Sequence, residues 1–150
     1  MKGFLFCLTL LCAVSRSEAQ SPEDSVKAAV NTMFRAMKTA DEKLFLSVMS
    51  DSVVFQGFGR NAAGSIVIET EDVAGFASFI GKAKKDSLDE QITFDVVKVD
   101  GPLAIAWTPY KFYHNGKFSH CGVNSFQLVR LNGAWKIQYI IDTRRKDKCL

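Results

Sequence analysis

The chain has 150 residues, of which 47% are hydrophobic and 23% charged, with a formal net charge of +3. That length suits one domain with a real core. So slight a positive balance is too weak to imply a nucleic-acid partner, and none is expected.

Residues 1–19 read as a secretory signal peptide. Lys2 gives a positive start, Phe4 to Val14 form an apolar run, and Ser17 and Ala19 supply the small residues of a cleavage site. The run is too short for a membrane span, which needs about 20 apolar residues, so no stable membrane anchor is expected. The protein is expected to be exported, periplasmic or secreted, with residues 20–150 forming one domain. Cys7 and Cys12 fall in the removed segment. Cys121 and Cys149 remain, an even pair in a disulfide-permissive compartment. A Cys121–Cys149 bond is favoured over two independent thiols.

Ser21-Pro22-Glu23-Asp24 marks a helix start, with Ser21 as cap and Pro22 in the first turn. Val26, Ala29, Val30, Met33 and Met37 then recur at helical spacing. A second short helix carries Leu44, Phe45, Val48 and Met49. Residues 52–58 and 65–69 read as short strands, and Thr70 as the cap of a third helix with Val73, Phe76, Ala77 and Ile80 inward. Residues 91–99, 103–113, 118–129 and 134–143 are strand-like, rich in β-branched and aromatic side chains. Asn115-Gly116 and Asn132-Gly133 join the last three as hairpins. Helices and short strands followed by a meander predict an α+β domain with helices on one face of a curved antiparallel sheet.

Two-residue hairpin loops set a register. One face then carries Ile105, Trp107, Phe126, Asn124 and Tyr139, ending at His120. The other carries Thr108, Tyr110, Cys121, Gln127, Asp142 and Arg144. A bulge at residues 139–141 would swap faces, because a slip of one residue inverts every side chain.

This layout, with WTPYKFY, KFSHCG and GAWKIQYIIDTRR near its end, resembles the nuclear-transport-factor-2-like superfamily, and within it the exported lumazine-binding-like or SnoaL-like branch. The resemblance implies a cone: a bent sheet wrapped around the N-terminal helix, with a pocket between them and a homodimer through the sheet. Its members include isomerases, cyclases, dehydratases, epoxide hydrolases and non-catalytic binders, so the fold leaves function open. The catalytic Asp of the ketosteroid isomerase pattern falls on Gln56, its second pocket acid on Gln127, and its helix Tyr near Thr32. Gln cannot accept a proton at neutral pH, so that chemistry is not supported.

The remaining candidates are few. Asp142 and Arg144 alternate on one face of the last strand beside Thr108 and Tyr110, able to bind a polar ligand, or, with Asp95 as a second acid, to orient a water. A weak surface ion pair explains them equally well. His120 with Asp142 would make an acid–base dyad, but the register puts them on opposite faces. Trp107 and Tyr110 belong to an aromatic strand suited to a flat ligand or to packing. The cluster Arg144-Arg145-Lys146-Asp147-Lys148 reads as a solvated terminus. No phosphate loop is visible, and His114 and His120 alone make no metal site. The sum of these readings is an exported pocket protein for an unidentified small apolar or aromatic molecule, without cofactor or metal. Its pocket is lined by Gln56, Trp107, Thr108, Tyr110, Gln127, Asp142 and Arg144. The alternatives are a cofactor-independent isomerase, dehydratase or hydrolase using Asp142, Arg144 or His120, and a non-catalytic dimeric accessory protein with a filled cone.

Overall fold

The computed structural model describes residues 21–149; the signal-peptide expectation concerns residues outside them. Helix α1 spans Pro22–Thr39. Ser21 caps it, its hydroxyl accepting from the Asp24 N–H, and Ala40 ends it in the left-handed conformation at φ 57°. Val26, Ala29, Val30, Met33, Phe34 and Met37 form its buried stripe, spaced by three and four residues. Each fully buried aliphatic or aromatic side chain here stabilises the fold by about 1.5–3 kcal/mol. Phe34 meets Phe126 edge to face, with ring centroids 6.1 Å apart. Helix α2 (Glu42–Ser47) is short and places Phe45, fully buried, against Phe55 and Phe76.

Strands β1 (Met49–Arg60) and β2 (Ile66–Glu71) precede helix α3 (Val73–Lys82). The second strand runs through Thr70, so Asp72 is the cap of α3, its carboxylate accepting from the Ala74 N–H. Five strands follow: β3 (Leu88–Ile92), β4 (Val96–Asp100), β5 (Leu103–His114), β6 (Lys117–Leu131) and β7 (Ala134–Arg145). The order across the sheet is β2-β1-β7-β6-β5-β3, with β4 also on β5. All pairs are antiparallel except β1 with β7. The single strand expected over 91–99 is thus two, and the break has a cause. Pro109 of β5 faces the gap; its carbonyl accepts from Thr93, but it has no N–H to return, so the ladder is interrupted there.

Both Asn-Gly loops take positive φ at both residues, 52° and 73° at Asn115-Gly116 and 51° and 82° at Asn132-Gly133. These turns match the twist of their flanking strands. His114 pairs with Lys117, and Leu131 with Ala134, as expected. Further along, each ladder slips by one residue. Phe112 pairs with His120, leaving Ser119 as the extra residue, and Gln127 pairs with Tyr139, leaving Gln138. The simple register therefore breaks at a bulge on β7, at Gln138 just before the 139–141 stretch where one would swap the faces, and β6 carries a second at Ser119.

These bulges correct the assignment of faces. The helix-facing rows are Ala106, Phe126 and Ile140; then Thr108, Asn124 and Asp142; then Tyr110, Gly122 and Arg144; then Phe112 with His120. Relative to the simple hairpin register, β6 is turned over between its two neighbours. The outer face receives Ile105, Trp107, Gln127 and Tyr139. Cys121 and Cys149 form a disulfide with Cα atoms 5.7 Å apart, tying the C-terminal tail to β6.

Candidate functional site

Where the apolar rows of the sheet give way to polar ones, the helices no longer fill the concave side. A cavity of about 240 Å³ remains there. Met33 and Met37 of α1 and Phe76 and Phe79 of α3 form one wall; Glu90, Tyr110, Asn124, Asp142 and Arg144 form the other. A neighbouring space of about 330 Å³ shares Met37, Phe76, Phe79, Glu90, His120 and Arg144 and opens past Phe112 and His114. The two are chambers of one groove.

The polar wall is a connected network. Arg144 donates to Asp142 twice, from Nε to Oδ2 at 2.8 Å and from Nη2 to Oδ1 at 3.3 Å. The two residues are two positions apart and so are neighbours on the same strand face; the strand itself sets the pairing. Tyr110 donates its hydroxyl to Asp142 Oδ2 at 3.2 Å, and its oxygen also lies 2.9 Å from the Thr143 carbonyl. Asn124, on the row below, donates from Nδ2 to Glu90 Oε1 at 2.8 Å and lies 3.5 Å from the Thr108 hydroxyl. Glycines make room for this. A Cβ on Gly122 would meet the Thr143 carbonyl oxygen at 1.7 Å and the Tyr110 ring at 2.8 Å. A Cβ on Gly57, which pairs with Asp142 across the parallel ladder, would press on the Asp142 carboxylate at 3.0 Å.

Glu90 is partly accessible from the cavity, yet protein surrounds its carboxyl closely. Desolvation pushes its pKa up to about 7, against the opposing bond from Asn124. Burial, with Asp142 and Glu90 nearby, raises the Tyr110 phenol far above its ordinary value. Burial lowers the His120 pKa; Arg144 and Lys146 add to this and Asp142 opposes it. His120 is therefore neutral at neutral pH. Its Nδ1 lies 3.0 Å from the Ser119 hydroxyl, and its ring packs edge-on against Tyr110. The bond to Asp142 raises the Arg144 pKa.

Of the residues expected at a site, Tyr110, Asp142, Arg144 and His120 border the groove, and Thr108 is fully buried beneath it. The separation of His120 from Asp142 expected from the register is overturned by the bulges, which put both on the same face. Gln56 touches the cavity, but its amide is engaged on the outer side, accepting from Tyr139 at 2.7 Å and donating to Thr70 at 3.1 Å. Trp107 and Gln127 lie on the outer face, both exposed. Asp95 is exposed at the break between β3 and β4 and does not border the cavity. Arg144 lies in β7 and lines the cavity wall, with its side chain about half exposed. Sequence reasoning missed Glu90, left just before the expected strand start at 91, and put Asn124 on the wrong face. The presence of an Asn inside an apolar strand was a signal; Glu90 carried none.

No protein-family model matches the sequence, and no curated protein matches it significantly. Solved structures do match in shape. A nuclear-transport-factor-2-like protein of unknown function from Shewanella baltica OS155 has a TM-score of 0.62 at 13% identity, covering 82% of this chain and 93% of its own. One from Shewanella oneidensis MR-1 has a TM-score of 0.64 at 11% identity, covering 82% and 99%. The chain has the nuclear-transport-factor-2-like fold. A domain of unknown function with a cystatin-like fold from Nostoc punctiforme PCC 73102 superposes similarly, with a TM-score of 0.65 at 16% identity over 87% and 82% of the two chains. Among the described residues, no helix is long and apolar enough to cross a membrane, and no group of three or more His, Cys, Asp or Glu could hold a metal.

Proposed function

We propose that the protein is an exported small-molecule carrier or receptor whose cone-shaped pocket takes an apolar or aromatic ligand without a cofactor. The observation that supports it is the two-sided groove. Methionine and phenylalanine on the helices face a hydrogen-bonded polar network on the sheet, the usual make-up of a small-molecule site. Methionine suits such a wall because its side chain adapts to irregular ligands. The space between helix and sheet argues against an accessory protein with a filled cone. The test is titration with N-phenyl-1-naphthylamine, an uncharged fluorophore that brightens in apolar surroundings. Saturable brightening that a cavity-filling Met37→Trp or Met33→Trp variant removes is the expected result. Brightening that survives both variants would place the binding elsewhere.

A second reading is a cofactor-independent isomerase, dehydratase or hydrolase. Glu90, with a pKa of about 7, is suited to proton transfer at neutral pH, and His120 and Asp142 lie in the same groove. It requires turnover that Glu90→Gln or Asp142→Asn abolishes. The outer face of the sheet, with Ile105, Trp107, Val54, Phe58 and Ile68 exposed, supports a homodimer through the sheet.

A further inference from the structure

We infer that the groove selects ligands carrying a single cationic amine on an apolar or aromatic body, with the amine seated at Glu90. This rests on the pocket reading above and names the ligand class that pocket takes. The first support is an inventory of hydrogen-bond capacity. Both oxygens of Asp142 are taken by Arg144 and Tyr110, and the Tyr110 hydroxyl is spent on Asp142 and Thr143. Asn124 commits its Nδ2 to Glu90 Oε1. The second Glu90 oxygen, Oε2, has no hydrogen-bond partner among the described residues, and no buried side-chain polar atom among them is left unsatisfied. That oxygen is therefore open to the groove.

The second support is charge. Among the described residues, Glu71, Glu90 and Asp142 face the first chamber against Arg144 alone, so it is acidic whether or not Glu90 is ionised, in a chain whose formal charge is positive. The Asp142–Arg144 pair cancels within itself. Glu71 also acts on Arg144, but an anionic headgroup would still meet more negative than positive charge among the lining residues. A cation would neutralise the Glu90 carboxylate in a desolvated place, where the attraction is strongest. The third support is the rest of the lining. Phe76, Phe79 and Tyr110 line the same cavity, Phe76 and Phe79 stacked on each other, and aromatic rings add attraction for an organic cation.

Glu90 must be ionised to receive the amine. The groups that face it from the packed elements are Glu71 of β2, Tyr110 of β5, His120 of β6, and Asp142 and Arg144 of β7, with Lys146 acting on His120 from the tail. Of these, His120 is held neutral above its lowered pKa, so Glu90 dominates the pH response near neutrality. Amine affinity is expected to rise as pH increases through about 7.

The experiment compares tryptamine, its alcohol tryptophol and its acid analogue indole-3-propionate by calorimetry on the full domain, at about pH 6 and about pH 8. Tryptamine is expected to bind about tenfold or more tighter than tryptophol at the higher pH. Indole-3-propionate should be weakest, and only tryptamine should lose affinity at the lower pH. Glu90→Gln should abolish the tryptamine preference, and Glu90→Asp, which keeps the charge, should retain part of it. Equal or tighter binding of tryptophol or the acid would overturn the inference, as would a tryptamine preference untouched by Glu90→Gln. If the naphthylamine fluorophore binds but tryptamine shows no preference, only the amine inference fails. If neither binds, the pocket reading fails with it.

Discussion

At the residue scale, the candidate site depends on a few close approaches. Gly122 lets the Tyr110 ring lie against β6 and reach Asp142 and Thr143. Gly122→Ala should destabilise the domain by about 1–3 kcal/mol, the usual result of overpacking, measured by urea unfolding; an unchanged midpoint would show that the approach is looser than described. Tyr110→Phe removes a hydroxyl shared between Asp142 and a backbone carbonyl, and should cost about 1 kcal/mol or somewhat more. Glu90 gives a pH signature. Its folded pKa, about 7, lies above the ordinary 4.5. The native state therefore keeps this proton longer than the unfolded chain does, and stability falls as pH rises through that window. Glu90→Gln should raise the melting temperature near pH 8 and change it little near pH 4. A stabilisation that is the same at both ends would mean that Glu90 is not desolvated.

At the element scale, much of the fold was legible. Cap residues and apolar spacing announced α1, and two Asn-Gly pairs announced the last two hairpins with their first paired residues. The faces beyond those pairs were not legible, because Ser119 and Gln138 each add one residue to a ladder without any local mark in composition. One inserted residue inverts every side chain that follows, which is why Gln127 was expected on the face of Asp142 and Arg144 while Asn124 and His120 were expected on the opposite one; Trp107 was expected in the pocket for its aromatic strand, not from the register. The break opposite Pro109 was readable in principle, since a proline in an inner strand must leave its neighbour unpaired. The Cys121–Cys149 disulfide closes a segment with a sequence separation of 28 and holds the tail that follows Arg144 and Arg145. Cys149→Ser should lower stability by about 2–4 kcal/mol, read as a lower urea midpoint than that of the oxidised parent. Equal midpoints would mean that the tail contributes no constraint.

At the scale of the whole molecule, the sheet separates two surfaces. Its concave side holds the groove against α1 and α3, and its outer side exposes Ile105 at 44% and Trp107 at 45%. Trp107→Lys should shift sedimentation from a dimer toward a monomer without altering ligand affinity, since the residue lies across the sheet from the cavity; a parent chain that sediments as a monomer would contradict the dimer. The central claim, that ligand enters between helix and sheet, has a direct spectroscopic reading. The domain is labelled at its methionine methyls and tryptophan indoles and titrated with the naphthylamine fluorophore, followed by NMR. The methyls of Met33 and Met37, which line the groove, should move together to saturation. The Met49 methyl and the Trp107 indole should stay in place. Movement of Trp107 with Met33 and Met37 unmoved would contradict the account and put the ligand on the outer face.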